Sequence, residues 1–315
     1  MIFALIRQEE KQGSSLSVKE LCALAGVSRS GYYRWVQAEP ERIAAEQRDL
    51  ADFALIREAY DYRGYAKGYR GIQMRLFRMG VLMNHKKVRR LMKKYGLLCP
   101  IRKANPYRRM AKALRTDAVS PDRIQRKFRS RGPRKVLLTD ITYIRLKDDF
   151  IYLSVIKDAF TMQVLAYQLS ESLEVDFVLE TVHQLMRNHL CSLDAETILH
   201  SDQGCHYTSV AFRQLLKDYE LRQSMSRKGN CWDNAPQESF FGHMKDELKP
   251  YIKGWETFQD VKDRIDDWMD YYNNDRYQTI LNWMSPNEYW HYIVTNQLPP
   301  ALENQKPCKN ISPCP

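Results

Sequence analysis

Two stretches decide how this chain is read: Leu-His-Ser-Asp-Gln-Gly at Leu199–Gly204 and Asp-Asn-Ala-Pro-Gln-Glu-Ser-Phe-Phe at Asp233–Phe241. The first is a short apolar run that closes on an acid, Asp202. The second places an acid, Glu238, in the first turn of a helix that Asn234 caps and Pro236 starts. Positions 202 and 238 leave 35 residues between them. A third acid, Asp140, stands upstream in the strand-like run Leu-Leu-Thr-Asp-Ile-Thr-Tyr-Ile, Leu137–Ile144. Two acids on strands and one at a helix start, where an anion is favoured, can meet at one point. Converging carboxylates repel one another and call for cations. With no Cys or His cluster beside them, hard oxygen ligands suit Mg²⁺ or Mn²⁺. Two such ions clamp the attacking and leaving oxygens of a phosphodiester. Any one Asp or Glu is far more often a surface or capping residue; the three-point spacing reverses that expectation.

Around these acids, His200, Gln203 and Asn234 are expected to position substrate or water behind the ligands. Lys245 lies seven residues past Glu238, within ~20° of the same helix face and a rise of ~10 Å, the scale of a few phosphates. It is the candidate contact to a DNA end; an ordinary solvated lysine is the competing reading. Tyr207 and Trp232 are read as core. His189 and Cys191 lack a partner pair at zinc-ligand spacing.

Outward from the motifs, the pattern from Val136 alternates as strands do: Val136–Leu146, Phe150–Ile156 and Gln163–Leu169, with short turns that make two hairpins. A helix follows over Glu174–His189, then a buried strand Thr197–His200, a helix Ser209–Tyr219, a strand Leu221–Met225, and helices Pro236–Leu248 and Phe258–Asn273. Periodicity alone supports α/β or α+β.

The first 135 residues read as helices. Residues 16–37 form helix, turn, helix, with Ser17 and Glu20 as a capping box, Gly26 as the break and Ser28 capping the second helix. This is either a DNA-binding arrangement exposing Arg29, Ser30 and Arg34, or a plain hairpin with aromatic core residues. A helix over 41–62 precedes a pair, Tyr69–Met79 and Asn84–Tyr95, closed by Gly80 and Gly96. In the last of these, Val88, Leu91, Met92 and Tyr95 face inward, and Lys86, Lys87, Arg89, Arg90, Lys93 and Lys94 cover the rest. Residues 99–135 carry Pro100, Pro106, Pro121 and Pro133 among many cations and read as a linker, either tracking DNA phosphates or acting as a tether.

The whole chain of 315 residues carries a net charge of +11. It is spread unevenly: residues 51–135 hold 25 Lys and Arg against 5 Asp and Glu, whereas 136–315 hold 17 against 26. Such a basic block beside an acidic core is an electrostatic footprint for nucleic acid. No apolar run approaches the ~18 residues of a membrane span. The N-terminal stretch lacks the core and cleavage site of a signal peptide. Seven Cys without a Cys-x-x-Cys pair argue against a disulfide framework. A cytoplasmic protein follows, with Cys308 and Cys314 in a loose tail.

Thr-Asp-Ile-Thr-Tyr-Ile, His-Ser-Asp-Gln-Gly, Asp-Asn-Ala-x-x-Glu-Ser-Phe-Phe and, further on, Tyr-Asn-Asn-x-Arg with Ser-Pro-Asn-Glu-Tyr stand here in order. On these motifs, spanning about residues 15 to 292, the chain resembles the OrfB-type insertion-sequence transposases of the IS-three family, within the integrase and transposase superfamily whose acids follow an Asp, Asp, 35-residue gap, Glu pattern. The resemblance implies a ribonuclease-H-like core with a mixed five-stranded sheet. It implies Asp140, Asp202 and Glu238 as catalytic residues and metal ligands for two Mg²⁺ or Mn²⁺ ions. It makes Lys245 the basic residue that meets the DNA end, and marks Gly-Tyr-Arg-x-Ile with Asn-His-Lys-x-Val-x-Arg-Leu-Met as a second helical DNA-binding segment. The partners implied are double-stranded DNA of the element ends and target, further copies of the chain in a synaptic complex, and an OrfA product, free or fused by frameshifting. Bacterial, nucleoid-associated localisation goes with it. The chain departs from the family at Gly71, where a basic residue is frequent, at Leu137 and Leu138, where an aromatic is, and at Gln278, where His is.

The domains expected are 1–50, a helix-turn-helix segment; 51–115, the second basic helical segment; 116–130, a basic linker; 131–295, the catalytic core with its C-terminal helices; and 296–315, a tail. The expected activity is metal-dependent DNA cleavage and strand transfer at the ends of an insertion sequence. The alternatives are a catalytically silent, transposase-derived DNA-binding regulator, against which the intact acidic triad argues, and a ribonuclease acting on hybrids.

Overall fold

The computed structural model describes residues 2–65, 67–97, 99, 121–124, 128–226 and 234–303. Most of the expected linker, Trp232, Asp233 and the tail beyond 303 lie outside them.

Three small helices open the chain: α1 (Ile2–Lys11), α2 (Val18–Leu24) and α3 (Arg29–Gln37). The Ser17–Glu20 capping box starts α2, and the Ser28 hydroxyl accepts from Gly31 N at 3.1 Å to start α3. Gly26 takes φ 67°, a left-handed turn that suits glycine. Helix α1 was not expected. It places Phe3 and Ile6 over Cys22, Tyr32 and Trp35, so the aromatics of α3 form a small core. Arg29, Ser30 and Arg34 stay exposed.

Helix α4 (Glu39–Asp61) is long and leads to α5 (Tyr69–Arg78) and α6 (His85–Lys94). Ile56, Ala59, Ile72, Leu76, Val88 and Leu91 bury the face these three share, each large apolar side chain contributing roughly 1.5–3 kcal/mol relative to exposure. Gly71 does not interrupt α5.

The sheet has the order β3-β2-β1-β4-β5. Strands β1 (Val136–Leu146), β2 (Asp149–Asp158) and β3 (Val164–Ser170) form two antiparallel hairpins, whereas β4 (Ile198–Ser201) and β5 (Arg222–Met225) run parallel to β1. The crossovers are α7 (Asp176–His189), then α8 (Cys205–Thr208) with α9 (Val210–Asp218). These pack on one face of the sheet, around Phe177, Val182, Leu185, Tyr207 and Phe212. The other face is covered by α10 (Ala235–Leu248) and α11 (Phe258–Asn274), through Ile144, Leu153, Val155, Phe240, Met244, Ile265 and Trp268. Helices α12 (Pro286–Thr295) and α13 (Pro300–Glu303) follow; Tyr289 and Leu302 pack them against Phe160 and Met162. This is the ribonuclease-H-like α/β arrangement, with a mixed five-stranded sheet.

Two findings go beyond the expected domains. Ile124, in the stretch read as a linker, is 1% exposed and packs with Phe128, Val136, Leu138, Ala159 and Ile198; Arg123 N also donates to Ser224 Oγ at 2.9 Å. Two apolar side chains among many cations were enough to dock this stretch. The helical segment also docks on the core. Tyr65 is fully buried in the α10–α11 cluster, and its hydroxyl donates to Asp267 Oδ2 at 2.6 Å. Tyr62 donates to Asp275 at 3.0 Å, Arg63 pairs with Asp267, Asp270 and Asp275, and Arg78 pairs with Glu288 at 2.6 Å. Arg63 reaches three acids at once from a left-handed backbone, φ 60°. Beneath it, Lys67 is buried and its ammonium donates to the carbonyls of Tyr60, Tyr62 and Tyr65. These would otherwise be unsatisfied where α4 ends.

Candidate active site and nucleic-acid interface

Strand β4 pairs with only the first part of β1, Val136–Leu138. Asp140 therefore sits just where β1 runs past its shorter neighbour, and Asp202 follows the last residue of β4. Side chains at the carboxyl end of parallel strands gather at such a point. Helix α10 lies across the same face, so the first turn that carries Glu238 comes down beside Asp140.

The electrostatics record this convergence. Burial, then Asp202, then Glu238 push the Asp140 carboxyl up to about 8, against the opposing pull of the Ile141 N–H and Lys245. Two further carboxylates are thus near enough to destabilise its charge. Asp202 is exposed, and its Oδ1 accepts from Gly204 N at 2.9 Å. A Cβ at Gly204 would stand 2.9 Å from that oxygen, so a larger residue there would shift the Asp202 carboxylate.

Asn234 departs from the expected role. It precedes α10, but its side chain makes no cap. Its amide instead donates to Asp140 Oδ2 at 3.1 Å. Asn234 Oδ1 is buried with no hydrogen-bond partner. Among the described residues no three His, Cys, Asp or Glu side chains stand close enough to cage an ion on protein ligands alone. The donor set that faces the site is nevertheless all oxygen.

His200 is fully buried. Its Nδ1 lies 3.0 Å from Ser224 Oγ and its Nε2 3.2 Å from Ser226 Oγ, so the ring ties β4 to β5 rather than facing substrate. Gln203 Nε2 donates to Ser226 O at 2.9 Å and holds the loop after Asp202 to the end of β5. Lys245 reaches round the open edge of β1, its ammonium 4.2 Å from the centre of the Tyr143 ring.

Lys157 escaped the sequence reading. It is 2% exposed on β2, with Nζ 3.0 Å from Pro236 O and 4.7 Å from the centre of the Phe240 ring. It opposes Leu138 in the register, as Val155 opposes Asp140, and so pins the first turn of α10 one step along the sheet from the acid. Burial, and then Arg276, push its ammonium down to about 7. The only sequence signal was a lysine directly after the run Leu-Ser-Val-Ile, Leu153–Ile156.

The basic helix α6 divides into three faces. Val88, Leu91 and Met92 are buried. Lys87, Arg90 and Lys94 pair with Asp52, Asp49 and Glu46 of α4, Arg90 through both oxygens of Asp49 at 2.7 and 2.8 Å. Arg90, followed by Lys94, holds the Asp49 carboxyl well below the usual range. Lys86, Arg89 and Lys93 form the third face and make no ion pair with a described residue. The sequence put all six cations on one footing; the acids of α4 separate them.

A ribonuclease-H-like sheet with Asp140 and Asp202 at its strand ends, joined to a basic helical segment, is the architecture of a nucleic-acid-processing protein. Comparison with known proteins agrees. The integrase core domain family matches residues 130–231, a second integrase core domain family matches 219–286, and the HTH-like domain family matches 47–105. The chain is 32% identical over 272 residues to the putative transposase InsK of insertion sequence element IS150 from Escherichia coli, covering 86% of this chain and 92% of that one. It is 36% identical over 212 residues to an uncharacterized transposase-like protein of Haemophilus influenzae, covering 66% and 94%. The HTLV-2 integrase catalytic core domain, solved in complex with magnesium, is 16% identical over 49% of this chain and 94% of its own, with a TM-score of 0.38. The chain belongs to the insertion-sequence transposases of the IS3 family, in the integrase superfamily, and is a DNA transposase. No helix among the described residues is long and apolar enough to cross a membrane.

Proposed function

We propose that this transposase cleaves the phosphodiester at the ends of its insertion sequence and joins the freed 3′-hydroxyl to a second strand, with Asp140, Asp202 and Glu238 as the catalytic carboxylates. The observation that carries this is the convergence on Asp140: two further carboxylates bear on its charge, and Asn234 fixes one of its oxygens. Uncompensated, that cluster is unfavourable; divalent cations compensate it. The three carboxylates offer oxygen donors alone, the chemistry of Mg²⁺ or Mn²⁺, and a bound ion would draw together side chains that do not by themselves close into a cage. Two ions, when bound, supply Lewis-acid stabilisation of the attacking and leaving oxygens.

The protein's own groups do the rest. In the first step a water oxygen attacks the phosphorus, the bond to the 3′-oxygen breaks, and that oxygen leaves as a hydroxyl. In the second the hydroxyl attacks another phosphodiester and displaces its 3′-oxygen. Neither step uses a protein nucleophile. Asn234 keeps Asp140 in one orientation, Gln203 holds the Asp202 loop, Lys157 tethers the turn carrying Glu238, and Lys245 neutralises a phosphate near the scissile bond. Arg29, Arg34 and the Lys86–Arg89–Lys93 face contact duplex DNA away from the chemistry. We assign 1–50 and 51–115 as DNA-binding segments and 131–295 as the catalytic unit. Action at two DNA ends implies further copies of the chain in a synaptic complex, with an OrfA product as a candidate partner.

The test is nicking of a duplex carrying the element's terminal repeat in Mg²⁺. Asp202→Asn keeps the shape and removes the charge. Cleavage is expected to vanish while binding to the same duplex persists; cleavage at the unaltered rate would refute the assignment.

A further inference from the structure

Among the described residues three aromatic side chains are exposed: Tyr33, Tyr143 and Phe150, at 50%, 60% and 45%. Two of the three touch one another. Tyr143 lies three residues past Asp140 on β1, and Phe150 sits on the facing strand. Their ring centroids are 5.4 Å apart and their planes nearly perpendicular, at 86°. The rings project from the face of β1 opposite the Asp140 side chain, and Lys245 bridges the two sides, over the Tyr143 ring and within electrostatic reach of Asp140; a ring pair left in water there is a surface awaiting a flat apolar partner.

Charge defines that partner. The Lys245 ammonium rests over the Tyr143 ring, 4.2 Å from its centre, and is near enough to Asp140 to favour its ionised form. Arg145 pairs with Phe150 in the register and so projects from the same face of the hairpin as both rings. An aromatic face flanked by cations matches a nucleotide: the base meets the ring and the phosphate meets the ammonium. A base inside a duplex, as at an element end embedded in flanking DNA, is stacked on both sides and offers no free face. The partner is therefore a base unpaired from its complement, at the position where the backbone must be opened to the carboxylates.

We propose that Tyr143, edged by Phe150, stacks an unpaired nucleobase flanking the scissile phosphate, and that Lys245 leaves the ring for that phosphate as the base arrives. The ring is thus held by a cation in the free protein and by a base in the complex. This rests on the acidic site proposed above, and adds a binding subsite to it. Stacking on a π-face tolerates any base, so the subsite fixes the geometry of the end without reading its sequence.

The experiment uses the full-length protein and its own terminal-repeat duplex, with the bases beyond the scissile phosphate left unpaired. 2-Aminopurine replaces each of these bases in turn, and stacking dims its fluorescence. Wild type is expected to dim the probe at one position. Tyr143→Leu is expected to leave it bright there and to slow strand transfer about tenfold, the scale of one lost stack, whereas Tyr143→Phe retains both properties. Tyr143→Thr, a strand-favouring substitution, serves as a second variant should Leu at an exposed position cause association. Asp202→Asn is expected to dim the probe as wild type does, which separates this subsite from the carboxylate assignment: cleavage by Asp202→Asn would sink the latter alone. Unchanged dimming in both Tyr143→Leu and Tyr143→Thr, or unchanged transfer in both, would overturn the stacking subsite.

Discussion

At the scale of single residues, the site combines groups the sequence marks with groups it hides. Lys245 is marked by its spacing from Glu238. Lys245→Ala is expected to lower affinity for the DNA end and to reduce the salt slope by about one phosphate's worth, because one counterion fewer is displaced. Lys245 is half-buried, with its ammonium over the Tyr143 ring, so the melting temperature should fall by only a few degrees; a large fall would assign it a structural role. Lys157 is hidden. Its ammonium is pushed down to about 7 from an ordinary 10.5, so between those pH values the unfolded chain holds a proton that the folded chain has shed. Wild-type stability from this group therefore rises with pH across that window and falls as pH drops toward 7. Met at this position carries no such term. Lys157→Met is expected to melt higher than wild type near pH 7, with the gain shrinking as pH approaches 10. The same variant should transfer strands more slowly, because Pro236 O loses its tether. A stability gain that does not change with pH, measured by thermal unfolding in a buffer series, would show that burial does not destabilise this ammonium.

At the scale of elements, helix α6 shows why a charge count misleads. Its six cations share one short helix, but Asp49, Asp52 and Glu46 of α4 occupy three of them. Replacing Lys86, Arg89 and Lys93 together by Ala is expected to cut the salt slope of duplex binding by about three phosphates' worth. Replacing Lys87, Arg90 and Lys94 should cut it by clearly less. Equal losses in a fluorescence-anisotropy salt titration would show that both faces meet DNA and that the α4 pairs open on binding. The periodicity of α6 gave its buried face correctly, because apolar spacing is local information. The split of its polar face depended on where α4 lies, and no spacing within α6 reports that.

At the scale of the whole molecule, the basic helical segment and the catalytic core share a hydrophobic cluster. Tyr65 from the former is buried among Phe240, Trp268 and Tyr271 of the latter, and Arg63 holds three acids of the α11 region. Units that share a core unfold together. Calorimetry of wild type is expected to show these two units melting as one transition. In Arg63→Glu combined with Tyr65→Ala, which turns three ion pairs into repulsions and empties the shared core, they should melt as two. Strand transfer should fall further than duplex binding, because the DNA-contacting helices lose their fixed relation to the carboxylates. A single unchanged transition in the double variant would show that other contacts, such as Arg78–Glu288, are sufficient for coupling.

The sequence by itself determined the order of elements in the core. The strand alternation from Val136, the helix caps at Ser17, Ser28 and Asn84, and the Asp140, Asp202 and Glu238 spacing are all carried by neighbours along the chain. That is why strand ends and caps were legible to within a residue or two. Tertiary structure alone decided what those neighbours could not. It turned the Asn234 amide toward Asp140, where its Nδ2 donates to a carboxyl from another strand and its Oδ1 caps no backbone N–H. It took His200 out of the site, because β5 brings two serines to its ring nitrogens. It buried Lys157, docked Ile124 in what reads as a linker, and left Tyr143 and Phe150 uncovered at the turn end of the first hairpin. Each of these depends on which surfaces meet in space, and a residue cannot specify in its own neighbourhood the partner that arrives from a hundred positions away.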